Sequence, residues 1–210
     1  MKKFLIIDGN NVMFRAYYAT AAMNNLMRNT KGFPTNMVYG FINIYTKVIK
    51  DGYTHIAVAF DKGSKTPRHL AYKDYKAGRQ TPPDELFMQI PYIHSFLDSM
   101  NVHYYMDEDY EADDIVASIA QKFYDDFDEI DVLSNDNDLF QLIKPKEIQL
   151  YQRQKEQVRY DTDYLFEDKG IKPSQVPDYK ALIGDKSDNL LGVEGIGPVG
   201  AAKLLKNMVH

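Results

Sequence analysis

The 210-residue sequence contains no cysteine, which excludes disulfide bonds and thiolate metal sites and favours an intracellular setting. No apolar run reaches the length that a transmembrane helix needs. The opening stretch MKKFLIIDGNN has a short apolar run that ends at Asp8, which is typical of a strand and too short for a signal peptide. Internal repeats and low-complexity tracts are also lacking. We therefore expect a cytoplasmic globular protein with no membrane partner.

The chain also lacks the positive charge that is typical of nucleic-acid-binding proteins. Its formal net charge is −5, with 30 acidic residues against 25 Lys and Arg, and this balance alone argues against a nucleic-acid partner. The hydrophobic and charged fractions, 44% and 26%, are ordinary for a globular chain. The length allows one large domain or two small ones.

Strand and helix patterns alternate along most of the chain. We predict strands at residues 3–8, 55–60, 102–105, 129–134 and 147–151, and helical stripes at residues 38–49 and 86–100, the second with a kink at Pro91. This alternation predicts an α/β fold with a mostly parallel central sheet flanked by helices. From about residue 161 the pattern changes to short helices and loops. We therefore predict a core at residues 1–160 and a smaller helical subdomain at residues 161–210.

Aspartates follow three of the predicted strands at the points where the strands end. Asp8 closes the first strand, Asp61 follows the second, and Asp136 and Asp138 follow the strand at residues 129–134. Each one alone has an ordinary alternative as a turn or cap residue, but parallel strands bring their carboxyl ends to one edge of a sheet. Oxygen ligands without histidine or cysteine point to Mg²⁺ or Mn²⁺. The sequence therefore predicts a divalent-metal site at this edge.

The stretch MDEDYEADDIVASIA, residues 106–120, crowds six carboxylates before an apolar helical stripe. The acids at residues 107–109 are typical of a solvated loop. Glu111, Asp113 and Asp114 instead fall in the predicted first turn of a helix, where the helix dipole favours acids. Capping explains one of the three, and like charges this close raise each other's pKa unless a cation lies among them. This second group is therefore a further candidate for the metal site.

A third acidic group precedes a glycine-rich turn in GDKSDNLLGVEGIGPVGAAKLL, residues 184–205. Asp185 and Asp188 add two acids, three residues apart. Gly195-Ile196-Gly197 then lies between two apolar segments, which is typical of two helices joined by a tight hairpin. Backbone amides exposed at such a hairpin can bind a phosphate, whereas the plain alternative is an ordinary turn between helices.

A basic and aromatic segment, KGSKTPRHLAYKDYKAGR at residues 62–79, follows the second predicted strand directly. Basic groups can contact phosphates and tyrosines can stack on unpaired bases, while a solvated helix face fits equally well in isolation. Setting aside the nine acids of the three groups above leaves 21 acids against 25 Lys and Arg, a balance of +4. The acidic excess therefore belongs to the predicted metal cluster.

Together these motifs closely resemble the bacterial 5′-nuclease family: the N-terminal domain of DNA polymerase I, its free-standing relatives and the wider flap endonucleases. The resemblance covers essentially the whole chain. It rests on IDGNNVMFRAYYA, GFPTNMVYGF, FDKGSKTPRHLAYKDYKAGR, YEADD, SNDNDLFQL and GDKSDN…GVEGIGPVGAAKLL. It implies a PIN-like or resolvase-like core with a helical arch at about residues 62–100, followed by a truncated helix-hairpin-helix subdomain.

The resemblance also implies roles for individual residues. The family's metal-site carboxylates match Asp8, Asp61, Glu111, Asp113, Asp114, Asp136, Asp138, Asp185 and Asp188. Lys76 and Arg79 match the arch residues that contact the scissile phosphate and act in catalysis. The substrate-binding residues that the resemblance implies are Arg15, Arg68, Tyr72, Tyr75, Gly195, Ile196 and Gly197. The implied cofactors are two Mg²⁺ or Mn²⁺ ions, with a monovalent cation such as K⁺ at the hairpin.

The implied activity is structure-specific hydrolysis of DNA at 5′ flaps, 5′ ends and branched junctions, in replication and repair. The resemblance implies a nucleoid-associated monomer in functional partnership with a DNA polymerase. Two alternatives stay open: a catalytically silent module that binds branched DNA, and a ribonuclease of the related small metal-dependent nuclease fold. The intact acids argue against the first, and the hairpin argues against the second.

The hairpin departs from the family pattern at four positions. Leu191 and Glu194 replace prolines, Val199 replaces a lysine and Gly200 replaces a threonine. The lost cation and the added acid are expected to alter the affinity of the hairpin for duplex DNA. They leave the prediction of a hairpin at these residues unchanged.

Overall fold

The central sheet organises the elements around it. In the computed structural model, which describes residues 1–21, 26–63, 65–153 and 156–206, the strands are β1 Lys3–Asp8, β2 His55–Ala59, β3 His103–Tyr105, β4 Glu129–Leu133, β5 Glu147–Arg153 and β6 Glu156–Tyr160. Their order in the sheet is β3-β2-β1-β4-β5-β6. The neighbouring pairs from β3 to β5 are parallel, and β5 and β6 are antiparallel. The parallel strands therefore end at one edge.

Helices cover both faces of this sheet. The α-helices of the described residues are α1 Gly9–Ala21, α2 Asn36–Val48, α3 Pro67–Ala71, α4 Asp84–Phe87, α5 Ile90–Ser99, α6 Ala112–Lys122, α7 Thr162–Lys169, α8 Val176–Ile183 and α9 Pro198–Lys206. Short 3₁₀ helices lie at Ile49–Asp51, Tyr124–Asp126, Asn137–Leu142 and Pro173–Gln175. Side chains of α1, α2 and α5 pack on one face and those of α6 pack on the other.

Strand β1 shows why the core has two halves. Because the strand is buried on both faces, it is apolar at successive positions instead of alternating with polar residues. Leu5 and Ile7 pack with α1, α2 and α5, whereas Phe4 and Ile6 pack with α6. The next residue, Asp8, therefore emerges at the carboxyl edge from the most enclosed part of the sheet.

A third apolar cluster joins the C-terminal helices to the end of the sheet. It comprises Phe140, Ile143, Tyr160, Leu165, Ile171, Val176 and Leu205. The ring of Tyr160 in β6 stacks on the ring of Phe140, with centroids 4.6 Å apart. Residues on both sides of the predicted boundary at residue 160 thus share one core, and the division into two domains stays a prediction.

The predicted α/β class with a mostly parallel sheet is confirmed, and the five predicted strands are present. Strand β6 was not predicted, because its sequence EQVRY is mostly polar. Its apolar residues, Val158 and Tyr160, pack in the third cluster. The kink predicted at Pro91 is wrong. The stripe at residues 86–100 is divided between α4 and α5, and Pro91 lies in the first turn of α5, where its missing N–H costs no helical hydrogen bond.

A buried glutamine anchors the connection between α4 and α5. The Gln89 Oε1 accepts a hydrogen bond from the Met37 amide at 2.8 Å, and its Nε2 donates to Asn36 Oδ1 at 3.0 Å and to the Glu85 carbonyl at 2.9 Å. Met37 is in the first turn of α2, where amides have no partner within the helix. Gln89 thereby attaches the C-terminal end of the segment at residues 62–100 to α2.

Within the described ranges, no helix combines the length and the apolar character that crossing a membrane requires. Helices α1 and α2, for example, have 13 residues each, against about 20 for a bilayer span.

Two helical glycines provide a matched test of the packing of α1 against α2. A methyl group on Gly40 in α2 would meet Ala16 Cβ at 2.8 Å, whereas one on Gly200 in α9 would find its nearest neighbour, Ile196 Cγ2, at 3.8 Å. We predict that Gly40→Ala lowers the free energy of unfolding by about 1–3 kcal/mol through overpacking. Gly200→Ala should raise it by up to about 1 kcal/mol through helix propensity. Urea unfolding measures both, and a stabilising Gly40→Ala would contradict the close crossing.

Candidate active site

The central strands bring acids to the carboxyl edge of the sheet. Strand β1 lies between β2 and β4 and ends at Asp8, which is only 5% exposed. The Asp8 carboxylate accepts hydrogen bonds from the Asn11 amide at 3.0 Å and from the Ser134 hydroxyl at 2.8 Å. The Ser134 hydroxyl oxygen also accepts from the Asp136 amide at 3.0 Å. Ser134 thus ties the end of β4 to the end of β1, with Asp136 close to Asp8.

Asp61 joins the end of β2 to the start of α6. Its Oδ1 accepts a hydrogen bond from the Ala112 amide at 2.6 Å, and its Oδ2 accepts one from Asn10 Nδ2 at 2.6 Å. Glu111 caps α6, and its own amide donates to Asp114 Oδ2 at 3.1 Å. The predicted helix start at the YEADD motif is therefore confirmed, and the motif lies at the same edge as Asp61.

These elements enclose one cavity of about 380 Å³. The predicted metal ligands that line it are Asp8, Asp61, Glu111, Asp113 and Asp136. The basic residues that line it are Arg15, Lys76 and Arg79. Five of the nine predicted ligands are thus brought together with both predicted catalytic residues.

Three further predicted ligands form a second cluster. Asp138, Asp185 and Asp188 each offer a carboxylate oxygen, and these oxygens lie within 4.8 Å of one another. Asp185 Oδ1 accepts hydrogen bonds from the Ser187 amide and hydroxyl at 2.7 and 2.6 Å, which shapes the loop. The guanidinium of Arg79 is 2.5 Å from Asp188 Oδ1. Because Arg79 also lines the first cavity, it borders both acidic groups.

Asp114 is the predicted ligand that joins neither group. Its carboxylate makes two hydrogen bonds with the Arg68 guanidinium, at 2.7 and 2.6 Å. It lines a separate depression with Tyr105 and Ile115. Successive residues on a helix point about 100° apart, so Asp113 can face the cavity while its neighbour Asp114 faces away from it.

Two acids of the first cavity, Asp8 and Asp113, are held in surroundings that disfavour their ionised form. Burial raises the pKa of Asp8 to about 7, and the nearby carboxylates add to the rise while two hydrogen bonds oppose it. Burial, with the neighbouring Asp114 adding to it, raises the pKa of Asp113 to about 6. A cation among these groups would stabilise their charged forms.

Lys180, which the sequence did not point to, lies inside the second cluster. Its Nζ is 2.7 Å from Asp138 Oδ1 and 2.5 Å from Asp185 Oδ2. Burial alone would raise the pKa of Asp185, but hydrogen bonds from Lys180 and Ser187 hold it at about 2. At Asp138 burial prevails over Lys180 and raises the pKa. The available sequence signal was the closeness of Lys180 to the GDKSDN motif.

Basic residues after β2 face the acids of α6. Lys76 Nζ is 2.9 Å from Glu111 Oε2, and Arg68 reaches the same oxygen at 3.0 Å. Lys76 has a left-handed backbone with φ of +58°, a conformation that costs a non-glycine residue about 1–3 kcal/mol. Arg15, which also lines the cavity, donates to Asn135 Oδ1 at 2.7 Å. Lys76 and Arg15 therefore line the cavity, whereas Arg68 pairs with Asp114 outside its lining, and all three are bonded to protein oxygens.

The two tyrosines with predicted substrate contacts have different surroundings. Tyr72 is 39% exposed, and its hydroxyl donates to the Asn189 carbonyl at 3.3 Å. Tyr75 is 8% exposed, its hydroxyl donates to Glu111 Oε2 at 2.9 Å, and its ring lies edge-on to His69. Tyr72 thus presents an accessible ring, whereas Tyr75 supports Glu111 in this arrangement.

The predicted hairpin lies between α8 and α9. Gly195 has φ of +79°, and a side chain there or at Gly197 would find open space. The Val193 amide donates to the Leu182 carbonyl at 2.8 Å, and the Ile196 amide donates to the Val193 carbonyl at 3.1 Å. The tip is therefore a tight turn whose glycine backbone is accessible from outside.

The donor chemistry of both acidic groups fits a divalent cation. In the described ranges the ligand candidates of these groups are all carboxylates, the donors that Mg²⁺ and Mn²⁺ prefer. The oxygens of the second cluster are close enough together to share one ion.

Comparison with known proteins identifies a family for almost the whole chain. The family described as 5'-3' exonuclease, N-terminal resolvase-like domain, matches residues 3–170, and 5'-3' exonuclease, C-terminal SAM fold, matches residues 171–210. DNA polymerase I of Bacillus subtilis is 42% identical over 208 residues, which cover 98% of the chain and 23% of that protein. A 5'-3' exonuclease of Aquifex aeolicus is 35% identical over 207 residues, which cover 98% of the chain and 70% of that protein. The chain thus spans about a quarter of its polymerase relatives.

Solved structures of lower identity share the fold. The bacteriophage T5 flap endonuclease, crystallised with DNA and metal ions, has a TM-score of 0.78 and 22% identity, with 98% of this chain and 75% of that chain covered. Flap endonuclease-1 from Methanococcus jannaschii has a TM-score of 0.63 and 20% identity, with 97% and 70% covered. The fold, the acidic cavity and the family matches agree, and the chain belongs to the 5'-3' exonuclease family.

Proposed function

We propose that this chain is a divalent-metal-dependent nuclease that hydrolyses DNA at 5′ flaps, 5′ ends and branched junctions. The observation that supports this most directly is the single cavity in which five carboxylates meet Lys76 and Arg79. Membership of the 5'-3' exonuclease family supports the reaction class. The T5 flap endonuclease, crystallised with DNA and metal ions, supports the choice of ligands.

We infer that the cofactors are two Mg²⁺ or Mn²⁺ ions, which the carboxylate donors favour. The acids of the first cavity would hold one ion, and Asp138, Asp185 and Asp188 would hold the other. When bound, such ions polarise the phosphodiester and lower the pKa of the attacking water. Asp114, which pairs with Arg68, would support the site without binding an ion.

Lys76 and Arg79 would act on the phosphate itself. In hydrolysis a water oxygen bonds to phosphorus while the bond to the leaving oxygen breaks, and negative charge on the reacting oxygens must be stabilised. Both side chains line the cavity and pair with acids, Lys76 with Glu111 and Arg79 with Asp188. A phosphate in the cavity would offer each cation a new partner, and the cations would then neutralise charge in the transition state.

Other parts of the chain would hold the DNA. Arg15, Arg68 and Tyr72 are proposed contacts for the strand that enters the cavity. The hairpin at Gly195-Ile196-Gly197, with a monovalent cation such as K⁺, would bind a phosphate of the duplex through its glycine amides. We infer that the protein acts as a monomer alongside a DNA polymerase, which the polymerase relatives support.

A 5′-labelled DNA flap tests the proposal. We expect cleavage near the junction with Mg²⁺ and no cleavage with EDTA. Tight binding without cleavage under both conditions would favour a silent module for branched DNA. Cleavage of an RNA flap but not a DNA flap would favour a ribonuclease.

Asp8 and Asp114 offer a matched pair of isosteric substitutions. We predict that Asp8→Asn lowers the single-turnover rate by at least about 100-fold, because it removes a proposed metal ligand. Asp114→Asn should lower this rate clearly less, since Asp114 faces Arg68. Without metal, Asp8→Asn should be no less stable than the original chain, because an amide replaces a carboxylate whose charge is disfavoured by burial. Equal losses of rate would contradict the separation of Asp114 from the cavity.

A second matched pair tests the hairpin. Gly195→Val should weaken duplex binding and flatten its dependence on salt, because a bulky side chain on the left-handed backbone disturbs the amides that face the phosphate. Gly52→Val introduces the same side chain at φ of +79° in open space far from the hairpin residues in sequence, and should leave DNA affinity unchanged. Fluorescence anisotropy in Ca²⁺ measures both. Equal affinity of the two variants would contradict a phosphate site at the hairpin.

A further inference from the structure

The loop that holds Asp185 and Asp188 is closed on itself. The Asp185 amide donates to the Leu190 carbonyl at 2.9 Å, and the Leu190 amide donates back to the Asp185 carbonyl at 2.8 Å. Asn189, directly before Leu190, has a left-handed backbone with φ of +59°. The loop therefore presents Asn189 in a defined orientation.

Asn189 contacts the turns at residues 72–79 through both its side chain and its backbone. Its Nδ2 donates to the Asp74 carbonyl at 3.0 Å, and its carbonyl accepts from the Tyr72 hydroxyl at 3.3 Å. Both contacts join positions more than 110 residues apart in the chain. They connect the second acidic cluster to the segment that contains the proposed catalytic lysine.

Neighbouring residues of the loop reinforce this connection. The Lys76 amide donates to the Asp188 carbonyl at 3.1 Å, and Arg79 Nε donates to the Ser187 carbonyl at 3.2 Å. Each bond is weak by itself. Together they attach one short segment to three successive residues, 187–189.

The turns at residues 72–79 need such an attachment. Their backbone hydrogen bonds include Tyr75 amide to Tyr72 carbonyl, Ala77 amide to Asp74 carbonyl and Arg79 amide to Lys76 carbonyl. These are bonds of single turns, and a chain of single turns lacks the cooperativity of a longer helix. The position of the Lys76 side chain on Glu111 therefore depends on contacts outside the segment.

We propose that Asn189 is a positioning residue, which holds the turns at residues 72–79 over the cavity so that Lys76 faces its carboxylates. This inference rests on the proposed function for the role of Lys76. Asparagine suits the position because it tolerates a left-handed backbone and also carries an amide donor. Glycine would keep the backbone conformation and lose the donor, whereas aspartate would have no N–H to offer.

Hydrogen exchange of the protein without DNA or metal tests the attachment itself. Asn189→Gly should speed exchange of the amides at residues 72–79, including Lys76, while leaving the strands β1, β2 and β4 protected. Asn101→Gly is the matched control, because Asn101 is also left-handed, with φ of +53°, and lies outside both acidic groups. Unchanged exchange in Asn189→Gly, or an equal increase in Asn101→Gly, would overturn the proposal.

Kinetics test the consequence for catalysis. Asn189→Gly should lower the single-turnover rate on a flap by about 10- to 100-fold, which is typical for a misplaced catalytic group. The dissociation constant of the flap in Ca²⁺ should change little, since the proposed DNA contacts remain. In a double variant with Lys76→Ala, Asn189→Gly should lower the rate little further than Lys76→Ala alone, because its effect is exerted through Lys76.

The outcomes separate this proposal from the proposed function. Losses of rate that multiply in the double variant would overturn the role of Asn189 in positioning Lys76. If the original chain does not cleave flaps, the proposed function fails, and the exchange result alone decides whether Asn189 holds the turns.

Discussion

The crowding of carboxylates at one edge of the sheet is the constraint on which the rest of this structure depends. Like charges in a partly buried site repel each other and raise the free energy of the fold unless cations lie among them. The chain supplies protein cations at several of these acids. The pairs are Lys76 with Glu111, Arg68 with Asp114, Arg79 with Asp188, and Lys180 with Asp138 and Asp185. The basic side chains therefore hold together the site that they border.

The same pairs connect the layers of the molecule. The segment after β2 is attached to α6 through Arg68 and Lys76, and to the loop after α8 through Arg79. Lys180 attaches α8 to the 3₁₀ helix after β4. The segment after β2 and α6 are thus joined by charge, whereas α8 and the 3₁₀ helix also share the third apolar cluster. A cation that entered the site would have to compete with these charged contacts.

The sequence predicted best what depends on local pattern. The apolar run before Asp8 indicated a strand, and the positions of Asp61 and Asp136 after other strands indicated a common edge. Both follow from the geometry of parallel sheets. The direction of a single side chain does not follow from this geometry. Asp114 faces Arg68, and Tyr75 is buried on Glu111, because of contacts with distant parts of the chain. Lys180 and Asn189 were missed for the same reason, since Lys180 meets Asp138 and Asn189 meets Asp74 only in the folded chain.

That folding back has a consequence for the order in which the protein assembles. Strands β1 to β4, within residues 3–133, can form the part of the sheet that borders the first cavity. Asn189, in contrast, meets Asp74 across 115 positions of the chain. Contacts between residues so far apart in the chain form late, because closing a long loop costs chain entropy before the contact contributes any stability. During synthesis the sheet emerges before the loop at residues 185–190. A nascent chain therefore carries an incomplete set of acids, and the site is complete only when the loop at residues 185–190 has left the ribosome.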